Sequence, residues 1–213
     1  KVSPQPLNAN QSILVDDLVL ILAHTLHACL AQNQYQSAFQ DVLWISRTES
    51  VVDRKELIPT NSGGIYGWWG TEFHWSPDGK SLIYSRPDGI GQVDLENGYQ
   101  TAVVSFTPYD SKSDWAWIPP VVWSPTSSIL YAILPPAGQN SAVNTTTRFD
   151  LQGLLVDTNA AVDIIYHAGL FSYPTASSES EDGKFNLAFL KAIFPDKSDT
   201  SNYQIWTMDR DGS

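Results

Sequence analysis

The protein has 213 residues, of which 23 are Asp or Glu and 12 are Lys or Arg, so its formal net charge is -11. Such a chain lacks the clustered Lys and Arg side chains that neutralise phosphates, and we expect no nucleic-acid partner. A hydrophobic fraction of 42% excludes a disordered tail, and the single cysteine, Cys29, excludes an intramolecular disulfide and a zinc site built from cysteines.

The first segment in chain order, residues 1–40, has helical spacing. It begins with Lys and shows no secretory signal, so we expect a processed or trimmed chain. Residues 13–31 are mostly apolar, but two aspartates and two histidines interrupt them, so we expect no membrane span. Leucines at every fourth position favour an amphipathic helix that packs its leucine row on the rest of the protein: Leu14, Leu18, Leu22, Leu26 and Leu30.

After residue 40 the pattern changes to short strands separated by turns. Residues 42–46 and 54–58 are strand candidates, and the segment Trp-Ser-Pro-Asp-Gly-Lys at 75–80 precedes another. A second copy begins with Trp-Ser-Pro at 123–125, with one residue deleted in its turn, and a weaker third copy lies at 178–189. Pro fixes φ, Asp accepts backbone hydrogen bonds and Gly takes a positive φ, so the full motif predicts a tight turn that leads into a strand.

The first copy predicts four antiparallel strands, the last three at 81–86, 90–95 and 101–106. A four-stranded sheet of about 45 residues, repeated along the chain, is the unit of a β-propeller, so we expect Trp75 and Trp123 to be buried at equivalent places in adjacent blades. We therefore predict an all-β propeller with an N-terminal helix, and we interpret residues 135–144 as an exposed insertion. The expected organisation is a helical segment at 1–40 and a partial propeller at 41–213, with blade units at about 41–63, 64–110, 111–168 and 169–213.

The Trp-Ser-Pro-Asp-Gly-Lys motif at 75–80 and the segment Ile-Trp-Thr-Met-Asp-Arg-Asp-Gly-Ser at 205–213 resemble the WD40-like (PD40) repeat of TolB-type β-propellers from bacterial cell envelopes. The resemblance covers about residues 42–213. It implies an extracytoplasmic protein, whether periplasmic, cell-surface or secreted. It also implies a noncatalytic scaffold or binding module that presents its face to a protein or glycan.

Propellers usually close with about four to eight blades, more than the repeats account for. We expect the same polypeptide to continue into further blades; the alternative is that the N-terminal segment closes a small ring. Prolyl-oligopeptidase-like serine peptidases carry propellers with similar Ser-Pro-Asp-Gly turns. The alternative function is therefore that of a propeller domain in a larger enzyme.

Aromatic residues that recur in phase with the repeats are the candidate ligand contacts. Trp69 and Trp117 each lie six residues before a repeat tryptophan, and Tyr173 occupies the matching place in the third copy. Such residues either line the channel mouth, where they would stack on a sugar or peptide, or pack between blades. We favour packing, because every blade needs it. Trp68 and Trp115 do not share one register and are better candidates for exposed contacts.

Common signatures of catalysis and of cofactor binding are missing. The sequence has no Gly-x-Ser-x-Gly elbow, no His-Glu-x-x-His and no phosphate loop, and neither His74 nor His167 is obviously convergent with a nucleophile. We expect His24 and His27 to be solvated, and Asp-Arg-Asp-Gly at 209–212 to form a hairpin turn rather than a calcium loop. We therefore predict no catalytic residue, metal ligand or cofactor.

Overall fold

A computed structural model describes the chain as two units, Lys1–Trp69 and Gly70–Ser213. Within residues 18–58 it describes the side chain of Ile45 alone, which is buried. Within the described residues, no helix is long and apolar enough to cross a bilayer. The described ranges are 18–28, 37–47, 50–58, 72–112, 115–126, 128–136 and 144–209.

The N-terminal unit contains a three-stranded antiparallel sheet. Its strands follow chain order: β1 (Leu18–Ala28), β2 (Ser37–Arg47) and β3 (Ser50–Ile58). The pairing of β1 with β2 is continuous along both strands. The strands predicted at 42–46 and 54–58 lie within β2 and β3 and are confirmed.

The predicted N-terminal helix is wrong for residues 18–28, which form β1. A spacing of four residues follows one face of a helix, but four is also an even number, and side chains alternate between the faces of a strand. The positions of Leu18, Leu22 and Leu26 therefore suit either element. The choice depends on a pairing partner at 37–47, which the spacing of the leucines does not reveal. Leu14 and Leu30 lie outside the described residues.

The second unit contains three antiparallel sheets, each built from consecutive strands in chain order. The first sheet consists of β4 (Glu72–Trp75), β5 (Ser81–Arg86), β6 (Gly89–Asp94) and β7 (Gln100–Ser105). The second consists of β8 (Val121–Trp123), β9 (Ile129–Leu134), β10 (Asp150–Leu155) and β11 (Ala160–Ile165). The third consists of β12 (Thr175–Ala176), β13 (Asn186–Ala192) and β14 (Tyr203–Asp209), with a 3-10 helix at Pro195–Lys197 between the last two.

Two buried clusters join the three sheets face to face. Strand β9 contributes to both, because alternate side chains point to opposite faces of a strand. Leu130 and Ala132 pack with residues of the first sheet, including Ile83 and Ile90. Tyr131 and Ile133 belong to the other cluster, which includes residues of the third sheet. A strand buried on both faces is expected to be apolar throughout, and β9 has the sequence Ile-Leu-Tyr-Ala-Ile-Leu.

The repeat tryptophans occupy equivalent places, as predicted. Trp75 pairs with Leu82, Trp123 pairs with Leu130, and each tryptophan is 7% exposed. The two turns are also equally long, because Ser76 N–H donates to the carbonyl of residue 81 and Ser124 N–H to that of residue 129. The predicted deletion in the second turn is therefore wrong. Tyr84 pairs with Phe73 and Tyr131 pairs with Val122, so the two tyrosines that suggest a deletion do not occupy equivalent positions.

The serine of the motif organises the turn. Ser76 Oγ accepts a hydrogen bond from Ser81 N–H at 2.9 Å and donates to Asp78 Oδ1 at 2.6 Å. Hydrogen bonds from Ser76 and from the Lys80 backbone lower the pKa of Asp78. In the third copy Ser180 Oγ makes the corresponding bonds, within a turn one residue shorter.

The segment predicted as an exposed insertion, residues 135–144, is anchored at both ends. Pro135 is buried, and Asn144 is only 1% exposed. Asn144 Nδ2 donates to the Thr107 carbonyl at 3.2 Å, and its own carbonyl accepts from Asp110 N–H at 2.8 Å. The predicted exposure is therefore wrong at both ends of the segment. The side-chain amide of Asn144 hydrogen-bonds to the backbone of the chain that links the first two sheets. Residues 137–143 lie outside the described residues.

Candidate binding site at the mouth end of the sheets

The first strands of the three sheets begin at the same end of the stack. Glu72, at the start of β4, pairs with Ser85, whose hydroxyl donates to the Pro119 carbonyl at 2.6 Å just before β8. Trp117, also before β8, donates its indole N–H to the Leu170 carbonyl at 3.0 Å, before β12. These bonds place the starts of β4, β8 and β12 side by side. We call the end of the second unit at which these three strands begin the mouth end.

Trp117 is a core residue of the mouth end. Its side chain is 3% exposed, and its ring meets those of Phe149 at 4.8 Å and Tyr109 at 6.4 Å in edge-on arrangements. It belongs to the cluster between the second and third sheets. Its position agrees with packing between blades rather than with a ring offered to a ligand.

Four other aromatic side chains stay partly exposed at this end, and we call them the aromatic strip: Trp115, Phe171, Tyr173 and Tyr203. Trp115 is 44% exposed and Tyr173 is 54% exposed. The Phe171 ring lies 6.2 Å from that of Trp115, at 30°, and 6.3 Å from that of Tyr203, at 59°. The Tyr203 hydroxyl accepts from Phe171 N–H at 3.1 Å and donates to the Ser198 carbonyl at 2.7 Å, which fixes the ring.

Carboxylates lie next to the strip. Burial raises the pKa of Tyr173, and the negative charge of Glu72 raises it further. Burial also raises the pKa of Tyr203, and Asp199 and Tyr173 add to this effect. These tyrosines are therefore neutral hydroxyls at physiological pH. His74 Nε2 lies 3.8 Å from Glu72 Oε2.

A glycine allows the strip-bearing loop to run close to β13 and β14. Gly169 has a φ of 115°, and a Cβ there would lie 2.7 Å from the Ala192 Cβ and 3.0 Å from the Tyr203 hydroxyl. Its N–H donates to the Phe149 carbonyl at 3.1 Å. Only glycine adopts this conformation without strain, so this residue sets the path of the loop that carries Phe171.

A buried carboxylate fixes the same loop from the other side. The fully buried Asp150 side chain accepts from Arg148 Nε at 3.0 Å and from His167 N–H at 2.8 Å, and it lies 2.7 Å from Arg148 Nη2. The Arg148 guanidinium lies over the Tyr166 ring at 5.0 Å, and His167 Nδ1 is 3.9 Å from Asp196 Oδ1. The charged groups of these residues pair with one another, so this cluster has a structural role.

The structure therefore separates the predicted candidates. Trp117 lies in the core, Trp115 and Tyr173 lie in the strip, and Trp68 and Trp69 fall outside the described residues. The other two strip residues, Phe171 and Tyr203, lie outside the repeat register and were not predicted from the sequence. The one available signal was that Phe171 is an aromatic residue two positions before Tyr173. Within the described residues, no group of three or more His, Cys, Asp or Glu could hold a metal ion.

No protein-family model and no curated protein matches the sequence. Solved structures do match. A TolB protein from Agrobacterium tumefaciens is 17% identical, with 92% of this chain and 59% of that chain covered and a TM-score of 0.54. The fold is a β-propeller.

Two enzymes contain the same fold. The tricorn protease is 15% identical over 92% of this chain and 17% of its own, and a prolyl endopeptidase is 15% identical over 80% and 25%; both TM-scores are 0.51. This chain therefore spans less than two thirds of each of these relatives. Identities this low establish the fold alone, and they confirm the propeller predicted from the Trp-Ser-Pro-Asp-Gly motif.

Proposed function

We propose that this propeller is a noncatalytic binding module that engages a protein or a glycan at its mouth end. The observation that carries the proposal is the aromatic strip, whose rings are partly exposed yet held by the core beneath them. Rigid aromatic side chains supply large contact areas at little cost in conformational entropy, which suits binding surfaces. We further propose an extracytoplasmic location, supported by the resemblance of the repeats to cell-envelope propellers.

The polar groups of the mouth end support binding rather than covalent chemistry. The hydroxyl of Ser85 donates to a backbone carbonyl, and that of Ser198 accepts from Leu170 N–H at 3.1 Å. The imidazoles of His74 and His167 lie near carboxylates. Among the described residues, these contacts pair no serine with a histidine in the way a serine nucleophile requires.

The second candidate function is that of a propeller domain in a larger enzyme, such as a prolyl-oligopeptidase-like serine peptidase. The likeness to a prolyl endopeptidase, of which this chain covers 25%, favours it. The coding sequence downstream distinguishes the two functions. A Gly-x-Ser-x-Gly elbow followed by Asp and His would establish the enzyme.

We also propose that the polypeptide continues into further blades. Leu187 and Met208 of the third sheet pack toward the second sheet. Ile205 is three residues before Met208 in β14, so its side chain lies on the opposite face of the strand, where it is 79% exposed. The equivalent face of the first sheet is covered by the second sheet, and that of the second sheet is covered by the third. A further blade would cover the exposed face of the third sheet in the same way.

The binding function is tested by screening a glycan array and a peptide array with the 213-residue protein and with Trp115→Ala. We expect the variant to lose at least about tenfold in affinity for any ligand found, on the scale of a binding hot spot. The control is Tyr99→Ala, which removes a 74% exposed aromatic from the β6–β7 turn at the opposite end. A ligand that Trp115→Ala retains and Tyr99→Ala loses would contradict the proposed site.

A further inference from the structure

We propose that the aromatic strip binds a cationic group, the ammonium or guanidinium of a lysine or arginine side chain in a peptide partner. This inference rests on the proposed binding function and specifies its ligand class. It follows from the arrangement of the rings and the charges around them.

The rings offer faces to a cation. A Lys or Arg cation is attracted to an aromatic face when it lies within about 6 Å of the ring centre. The protein uses this contact elsewhere, since Arg86 lies over Tyr84 at 5.2 Å and Lys191 over Trp206 at 4.2 Å. Among the described residues, no cation lies over a ring of the strip. Trp115 and Tyr173, the most exposed rings of the strip at 44% and 54%, can therefore receive a cation from a partner.

The rings are also tilted against each other. Phe171 is inclined by 30° to Trp115 and by 59° to Tyr203. Several non-coplanar rings can surround a compact cation, as in the aromatic cages that recognise methylated ammonium groups. The tilt of the rings therefore suits a cationic side chain.

The charge at the mouth end is negative. The guanidinium groups of this end already pair with carboxylates, Arg86 with Asp88 at 3.3 Å and Arg148 with Asp150 at 2.7 Å. Among the described residues, the other charged side chains in the loops of this end are the lysines at 112 and 197 and the acidic residues at 72, 110, 196 and 199, and Lys191 lies one residue inside β13. With a net charge of -11 for the whole chain, this balance attracts cations and repels acidic glycans.

The test is calorimetric titration of the 213-residue protein with two capped pentapeptides, Gly-Arg-Gly-Arg-Gly and Gly-Gln-Gly-Gln-Gly. We expect the arginine peptide to bind at least about tenfold more tightly, and its affinity to fall as salt is raised. Trp115→Ala should weaken this binding by about five- to thirtyfold, and Glu72→Gln by about three- to fivefold.

Two matched variants serve as controls. Asp157→Asn removes one exposed carboxylate from the β10–β11 turn at the opposite end, so it changes the net charge as Glu72→Gln does. Tyr99→Ala removes an exposed aromatic there. Both should bind the arginine peptide like the parent, and a melting midpoint within a few degrees of the parent's confirms that each variant is folded.

Equal affinity for the two peptides overturns the inference, as does an equal effect of Glu72→Gln and Asp157→Asn. Titration with chitohexaose separates this failure from that of the proposed function. If the sugar binds and Trp115→Ala abolishes that binding while the arginine peptide does not bind, the mouth site stands and its cationic ligand is refuted. If no probe depends on Trp115, both proposals fail.

Discussion

Replacing Trp117 with alanine should destabilise the second unit strongly. The side chain is 3% exposed, and a buried Trp replaced by Ala costs about 3 to 5 kcal/mol. The change also leaves the Leu170 carbonyl without its 3.0 Å donor. For a chain of this size each kcal/mol lowers the midpoint by roughly 2 to 4 °C, so we expect a fall of about 6 to 20 °C.

The assay is thermal unfolding followed by near-ultraviolet circular dichroism, with two companion variants. Trp117→Phe keeps most of the ring but loses the indole N–H, so it should cost about 1 to 2 kcal/mol. Trp115→Ala removes a ring that is 44% exposed and should lower the midpoint by a few degrees at most. A Trp117→Ala protein that melts within about two degrees of the parent would refute the packing role.

Three further changes have defined outcomes. Gly169→Ala should lower stability by about 1 to 3 kcal/mol in urea denaturation, because its φ of 115° suits glycine alone; parental stability would contradict this. Asp150→Asn should cost about 2 kcal/mol, because it breaks a buried ion pair, and Asp157→Asn, at an exposed site, should cost almost nothing. The hydrogen bond from Ser76 lowers the pKa of Asp78. The stabilisation that this bond provides is therefore complete above the ordinary aspartate pKa, and it is lost as the pH falls through the lowered pKa. The stability difference between the parent and Ser76→Ala should therefore shrink between pH 7 and about pH 2, and a constant difference would exclude this linkage.

The blades could be predicted from the sequence because their turns are local. The bonds of Ser76 with Asp78 and Ser81 lie within six consecutive residues, so the motif specifies the turn without tertiary help. The strand register follows from the turn, which is why the burial of Trp75 and Trp123 was predicted correctly.

Other features depend on distant partners and could not be predicted. The leucine spacing at 18–28 suits a helix as well as β1, and only pairing with β2 decides between them. Phe171 and Tyr203 are 32 residues apart in sequence and meet through a backbone-to-hydroxyl bond. Trp115 and Trp117 are both tryptophans, two positions apart, yet one is exposed and the other buried. Residue type alone does not distinguish them.

The strip draws its rings from two different blades. Trp115 precedes the first strand of the second sheet, whereas Tyr203 begins the last strand of the third. A ligand that spans them binds only while both sheets are docked, so it must oppose their separation. At a hundred times its dissociation constant it would stabilise the docked state by about 2.7 kcal/mol. Occupancy at the mouth would therefore slow amide hydrogen exchange along β13, including at Asn186, the end of the strand that lies away from the mouth.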